Sequence, residues 1–165
     1  MFGAPTVLTV VLGGTLSDFI VMQVLGIAFF MTAANTAHLV VARIGAIRTI
    51  LLGSALSTLG CFAMGVYAAM DGTQAEPIWV LFILVNLGLG LRGPPGFYQA
   101  IVAAGQNESR GSALIILLAM LITALGTVAV APWLQAGLLP LASAATAVSV
   151  VSLAVLRGMT DPAPS

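Results

Sequence analysis

The 165-residue sequence contains few charged residues and no lysine. Five arginines and five acidic residues make up 6% of the chain, whereas soluble domains carry about 25%. So few charges cannot cover the surface of a water-soluble globule of this size. This composition excludes a soluble enzyme and a disordered tail. Nucleic-acid binding is also excluded, because the sequence has no basic patch.

Motifs of enzymatic and metal chemistry are missing as well. The single cysteine, Cys61, excludes a disulfide framework and a zinc site. The sequence has no HExxH motif, no Walker-type phosphate loop, no paired-carboxylate motif and no Ser/His/Asp set with a buried acid. We therefore expect a protein that is not an enzyme, with no catalytic residues, no metal site and no cofactor.

Apolar sequence is what the chain has in abundance. Hydrophobic residues make up 60% of it and its mean hydropathy is +1.14, which is typical of an integral membrane protein. Five segments are long enough to cross a hydrocarbon core of about 30 Å as helices. They are 19–41, 49–69, 78–103, 112–131 and 138–156. A shorter apolar stretch within 1–14 is expected to form a partial helix. The sequence thus predicts an all-α polytopic bundle in the lipid bilayer, with one transmembrane domain over 1–165.

Polar residues, glycines and prolines mark the breaks between these spans. Ser17 and Asp18 are suited to cap the first full helix, and Pro77 is suited to open the third. The connections are expected at 42–48, 71–77, 105–111 and 133–137.

Four of the five arginines fall on one side of the predicted membrane. Arg43 and Arg48 follow the first full span, Arg110 follows the third and Arg157 follows the fifth. The positive-inside rule assigns that side to the cytoplasm. We therefore expect a protein of the plasma (inner) membrane whose C-terminal tail, 158–165, is cytoplasmic.

The fifth arginine, Arg92, lies inside the third span. It is 14 residues past Ile78, which places it about 21 Å into the helix. Insertion scales put a central arginine at about 2.5 kcal/mol or more against insertion, so such a residue usually faces a cavity or a partner. We interpret Arg92 as part of a solute pathway. The alternative is that its side chain reaches the cytoplasmic headgroups or stabilises helix packing.

A glycine- and proline-rich run follows Arg92 directly. Gly93, Pro94, Pro95 and Gly96 disfavour a regular helix, because the prolines remove two amide donors and clash with carbonyls one turn earlier. We favour a kinked helix in which these residues form a hinge. The other possibility, a helix that ends at Leu91, would leave 14 residues, which is short for a span.

Other polar residues at membrane depth are candidates for the same pathway. Gln23 and Asn35 lie on the first full span, and Asn86 and Tyr98 lie on either side of Arg92. The amides could equally form hydrogen bonds between helices. By contrast, the second span carries small residues that allow close packing, and the fifth carries nothing ionisable, so neither is expected to hold the site.

Three passages resemble the C-terminal half of a major facilitator superfamily transporter, most closely in its drug/proton antiporter (multidrug efflux) branch. In 42–48, Arg43, Gly45 and Arg48 fit the cytoplasmic loop motif of that family, although Ala42 replaces its aspartate. Passage 89–113 is similar to a tenth helix that runs into the Arg-Gly-x-Ala start of the eleventh. Passage 126–132 is weakly similar to the antiporter Gly-Pro motif.

The resemblance implies secondary active efflux of small solutes or drugs, coupled to protons in the full-length protein. It matches 4–12 to the end of helix seven and the five full spans to helices eight to twelve, so the chain is expected to be half of a 12-helix carrier. It also implies that helices seven, eight, ten and eleven line the cavity, with nine and twelve outside them. The implied partners are the lipid bilayer, a small-molecule substrate and either the missing N-terminal six-helix bundle or a second copy. Nucleic acid is not among them.

A non-transport role remains the alternative to a carrier. Half a carrier has no opposite bundle to rock against, so this chain is not expected to transport by itself. A small helical membrane scaffold or subunit could instead form a homo-oligomer through its small-residue faces.

Overall fold

A computed structural model describes residues 15–70, 74, 76–105, 108–132 and 138–160. Within these ranges the chain forms five α-helices and no strands, which confirms the predicted all-α fold. The helices are α1 (Leu16–Ile44), α2 (Ala46–Ala69), α3 (Glu76–Ala103), α4 (Glu108–Val130) and α5 (Leu138–Thr160). The partial helix predicted within 1–14, the link 133–137 and residues 161–165 of the tail lie outside the described residues.

The helices extend beyond most of the predicted span boundaries. The predicted connection 42–48 is helical except at Gly45, so Arg43 and Arg48 occupy helix ends rather than a loop. The helix α4 likewise begins at Glu108 instead of residue 112. An apolar run ends where polar residues begin, but backbone hydrogen bonds continue through polar residues, so hydropathy underestimates helix length.

The first turn of α1 is stabilised by a capping box two residues before the predicted cap. The Thr15 hydroxyl oxygen accepts from the Asp18 amide at 3.2 Å, and the Asp18 carboxylate accepts from the Thr15 amide at 2.8 Å. These reciprocal bonds satisfy two amides that the start of a helix would otherwise leave free. The prediction of Ser17 and Asp18 as caps is therefore wrong, because Thr15 is the N-cap and Asp18 is its N3 partner.

One residue joins α1 to α2. Gly45 has φ 86° and ψ 160°, a conformation that is essentially restricted to glycine. Its amide donates to the Val41 carbonyl at 2.8 Å, which ends α1, and its carbonyl accepts from the Thr49 amide at 3.1 Å, which begins α2. The chain therefore reverses direction without a loop.

The helix α3 is central to the packing. It makes its most extensive contacts with α2 and α1, on two different faces, whereas α1 and α2 touch each other little. The helix α5 packs mainly on α2, and α4 makes only a few contacts with α3 and α5. The prediction that the second span is a packing element agrees with this arrangement.

Small residues let α2 and α3 approach closely. A Cβ placed on Gly53 would lie 2.6 Å from the Gly88 carbonyl oxygen, and one placed on Gly60 would lie 2.7 Å from Val85 Cγ2. Between them the Ser57 hydroxyl donates to the Val85 carbonyl at 3.3 Å. Because these contacts run in opposite sequence order on the two helices, α2 and α3 are antiparallel.

Four helices are long and apolar enough to cross a membrane within the described part of the chain: α1, α2, α3 and α4. The apolar part of α5 described there is shorter, at Ala142–Gly158. The helix α4 stands apart from the others. None of the residues in its most apolar 18-residue stretch is buried, whereas 39% of those in the corresponding stretch of α2 are buried. An apolar helix whose most apolar stretch is entirely unburied needs lipid or another protein around it.

Candidate functional site

Asn86 lies in the interface between α3 and α1. Only 5% of its surface is exposed, and its side-chain Nδ2 donates to the Phe82 carbonyl at 2.8 Å. The facing residue on α1 is Gly26, where an added Cβ would lie 3.0 Å from Asn86 Nδ2. Gly26 therefore provides the space that the buried amide occupies. Gln23, one turn earlier on α1, is half-buried.

Arg92 lies on another face of α3, against α2. A Cβ on Gly53 would lie 2.9 Å from both the Cβ and the backbone nitrogen of Arg92. The Arg92 side chain is half-buried. Among the described residues, its guanidinium has neither a hydrogen bond nor an ion pair.

The direction of the Arg92 side chain follows from helix geometry. Side chains on a helix tilt toward its N-terminus. Because α2 and α3 are antiparallel, this direction runs from the level of Gly53 toward the level of Cys61. From this geometry we expect the Arg92 side chain to leave α3 toward the middle of the bundle, away from the nearer end of α3.

The structure does not bring Asn86 and Arg92 together. They are six positions apart on α3, which separates them by about 120° around the helix axis. Asn86 accordingly faces α1 and Arg92 faces α2. The predicted pathway residues thus fall into two regions.

Two other predicted pathway residues lie on the outside of the described bundle. Tyr98 is 66% exposed, and Asn35 is exposed on α1. The Asn35 carbonyl oxygen is 2.7 Å from His38 Nδ1, so His38 donates when that nitrogen carries the proton. Nothing among the described residues packs over either side chain closely enough to bury it.

The proline pair lies within a continuous helix. The helix α3 extends through Pro94 and Pro95 to Ala103, so the possibility that it ends at Leu91 is wrong. The amide hydrogens that would reach the carbonyls of Gly90 and Leu91 are absent. Pro95 is buried and Pro94 is exposed. Gly93 and Gly96 have open space around them, since an added Cβ would meet nothing within 4 Å.

The three residues assigned to the loop motif share one end of the bundle. Arg43 and Arg48 are both exposed and lie on either side of Gly45. Arg110 and Arg157 are also exposed, in the first turns of α4 and the last turns of α5. Successive helices that alternate in direction place these four arginines at the same end.

An open apolar groove on α4 was not predicted from the sequence. Its volume is about 680 Å³, and it lies between Phe97 of α3 and one face of α4. Its α4 lining includes Ala119, Met120, Thr123 and Thr127. The threonine hydroxyls donate to carbonyls one turn earlier, at 2.7 and 2.8 Å, so the groove presents methyl groups. Two threonines at i and i+4 in an otherwise aliphatic helix were the available sequence signal.

Known proteins provide no family assignment for these features. Within the described residues, no three His, Cys, Asp or Glu side chains come together as a metal site. Comparison with family models, curated proteins and solved structures yields no match to this chain.

Proposed function

We propose that this chain is an integral membrane protein and forms one helical bundle of a secondary active transporter. The observation that carries the proposal is Arg92. It is half-buried in the middle of a helix that is long and apolar enough to cross a membrane, and it has no acidic partner among the described residues. Charges in such positions usually mark a solute or ion pathway, because they are expensive to place there.

The transporter class rests on the sequence resemblance. Span order and the positions of Arg43, Gly45 and Arg48 support the C-terminal half of a major facilitator superfamily carrier in the drug/proton antiporter branch. The proposed activity is efflux of small solutes or drugs, coupled to protons in the full-length protein. Asp18 is engaged in the cap of α1, and the other acids lie at the ends of spans. The proton-coupling carboxylate would therefore belong to the other bundle.

The exposed helix α4 supports the need for a second bundle. Its groove and its exposed apolar residues offer a surface for the missing N-terminal six-helix bundle or for a second copy of the chain. Alternating access requires two bundles that rock about a site between them. In the complete carrier, Gln23, Asn35 and Tyr98 would line the pathway with Arg92, whereas Asn86 is already enclosed between α3 and α1 of this bundle. Residues 93–96 would form the hinge.

We also propose an orientation and a location, on the basis of the arginine-rich end. We place that end and the C-terminus in the cytoplasm, in the plasma (inner) membrane. Support comes from the exposure of Arg43, Arg48, Arg110 and Arg157 at the helix ends.

The alternative function is a small scaffold or subunit that acts as a homo-oligomer without transport. The glycine- and serine-rich face of α2 would be its natural contact surface. Gly53, Ser57 and Gly60 already pack against α3 of the same chain, however, which leaves this face unavailable to a second copy. This internal packing removes one contact surface of the alternative.

Proton-driven efflux by the full-length gene product tests the proposal. Inside-out vesicles are energised, and candidate solutes are screened for proton exchange with a pH-sensitive acridine dye. We expect Arg92→Ala and Arg92→Gln to abolish exchange at unchanged expression. Arg157→Gln is the matched control, because that exposed arginine lies on α5, outside the proposed pathway.

Genomic DNA gives a second test. Six further spans encoded in frame before Met1, with a basic central loop, would support the carrier. A stop codon and ribosome site directly upstream would support the scaffold or a homodimer.

For the vesicle experiment, full exchange activity in both Arg92 variants would eliminate the proposed role of that residue.

A further inference from the structure

We infer that Arg92 is the cation of an anion-binding site within the bundle, which takes the carboxylate, sulfonate or phosphate group of a solute or a lipid. The inference rests on the proposed function, since it assigns a chemical class to what the Arg92 region binds. It predicts a negatively charged ligand rather than a purely apolar one. The Arg92 region contains a charged residue, whereas the lining of the groove on α4 does not.

The first argument is the absence of a counter-ion. Among the described residues, the guanidinium makes no hydrogen bond and no ion pair. Asp18 is engaged in the cap of α1, at the end of the bundle that lies opposite the arginine-rich end. A cation that is half-buried and unpaired in apolar surroundings is stabilised most by an anion that enters from outside the described chain.

The second argument is the chemistry of α2 from Gly53, which faces Arg92, to Cys61, because the polar side chains of this stretch carry hydrogen-bond donors and no acid. The Ser54 hydroxyl, next to Gly53 on α2, is 1% exposed and has no hydrogen-bond partner among the described residues. Cys61, two turns further along α2, is buried, and its sulfur accepts weakly from the Ser149 hydroxyl of α5 at 3.9 Å. A guanidinium, a thiol and hydroxyls without an acid suit an acceptor-rich, negatively charged group.

The third argument is the depth of Arg92 in α3, which disfavours simple snorkelling. Arg92 is 11 residues from the end of α3 at Ala103, about 16 Å along the helix. By helix geometry, its side chain is expected to leave α3 away from that end. The glycine at position 53 allows the start of the side chain to lie directly against α2. Arg92 is therefore held toward the bundle interior rather than toward headgroups at the arginine-rich end.

Ligand-dependent thermal stability of the purified full chain tests the inference. In a non-ionic detergent at constant ionic strength, benzoate is titrated against its neutral analogue benzamide. A second arm uses nanodiscs of phosphatidylcholine with or without phosphatidylglycerol. We expect benzoate, phosphatidylglycerol or both to raise the unfolding midpoint, and benzamide to leave it unchanged. A response to benzoate alone identifies a free solute, and a response to phosphatidylglycerol alone identifies a lipid headgroup.

Variants then assign the effect to Arg92. Arg92→Gln should weaken anion binding about tenfold or more, since hydrogen bonds to a charged group are lost. Arg92→Lys should keep part of the response, and the exposed Arg43→Gln should keep all of it. If Arg92→Gln does not fold, the inference is tested by comparing the responses to benzoate and benzamide in the wild type and in Arg92→Lys. Equal responses to the two compounds, or an unchanged response in Arg92→Gln, would overturn the inference.

The outcome is separable from that of the transport experiment. Anion binding at Arg92 without proton-driven exchange would remove the proposed function and leave the site. Exchange that needs Arg92, with no response to benzoate or phosphatidylglycerol, would keep the transporter and remove the anion site.

Discussion

Gly53 of α2 and Arg92 of α3 are in direct opposition, with room for no side chain on the glycine. A Cβ at position 53 would lie 2.9 Å from the Arg92 Cβ and 2.6 Å from the Gly88 carbonyl oxygen. The approach of the two helix backbones and the placement of the arginine therefore depend on the same residue.

The first prediction is that Gly53→Ala destabilises the bundle. The added methyl group meets backbone on α3, which cannot move aside as a flexible side chain could, so α2 and α3 must separate. Overpacking of this kind costs about 1–3 kcal/mol. Thermal unfolding in detergent measures it as a lower midpoint. Gly126→Ala is the control, since an added Cβ there meets nothing within 4 Å. Equal midpoints for the two variants would refute the close approach.

The second prediction concerns the one-residue junction at Gly45. Its backbone, at φ 86° and ψ 160°, strains any residue with a Cβ, although an added Cβ would meet no neighbouring atom within 4 Å. We expect Gly45→Ala to cost about 1–3 kcal/mol through backbone strain alone. Gly45→Asn should give no rescue, because asparagine tolerates the left-handed helical region but not this one. Gly158→Ala provides the comparison, and a Gly45→Ala midpoint at the wild-type value contradicts the assigned conformation.

Apolar length made the helices predictable, whereas local hydrogen bonding decided their ends. A run such as 19–41 can satisfy its backbone in a membrane only as a helix, so its existence follows from composition. Where α1 begins depends on the reciprocal bonds of Thr15 and Asp18, and where it ends depends on the positive φ of Gly45. Hydropathy shows neither the Thr15–Asp18 bonds nor the Gly45 conformation. At both ends, α1 therefore extends beyond the boundary predicted from the sequence.

The candidate site was only partly predictable, because residue depth follows from the sequence but facing direction does not. The position of Arg92 within a span was evident from its spacing. Its placement against α2, and that of Asn86 against α1, depends on which glycines allow the helices to approach. Pairing of Gly53 with Gly88, and of Gly26 with Phe82, is a property of the packed bundle that no single helix encodes.

The third prediction concerns Tyr67, which links the end of α2 to residue 74. Its hydroxyl donates to the Gln74 carbonyl at 2.9 Å and accepts from the Gln74 amide at 3.0 Å. Tyr67→Phe removes both bonds and leaves the ring in place. Because an exposed hydrogen bond contributes about 1 kcal/mol, we expect the Gln74 amide to exchange with deuterium several-fold to about tenfold faster. Tyr98→Phe should leave the exchange rate of that amide unchanged. Equal protection in Tyr67→Phe and the wild type would show that these bonds do not hold Gln74.

The fourth prediction separates a hinge in α3 from a passive proline pair. Pro94 is exposed, so Pro94→Ala restores an amide donor to the helix without opening a cavity in the bundle. Thermal stability should remain the same or rise. If residues 93–96 form the hinge of the proposed carrier, the stiffer helix should reduce proton-coupled exchange by the full-length protein at unchanged expression. Gly158→Ala, which also favours helix but lies near the end of α5, outside the proposed pathway, should leave exchange intact. Unchanged exchange in Pro94→Ala, together with a raised unfolding midpoint, would assign the prolines to packing rather than to motion.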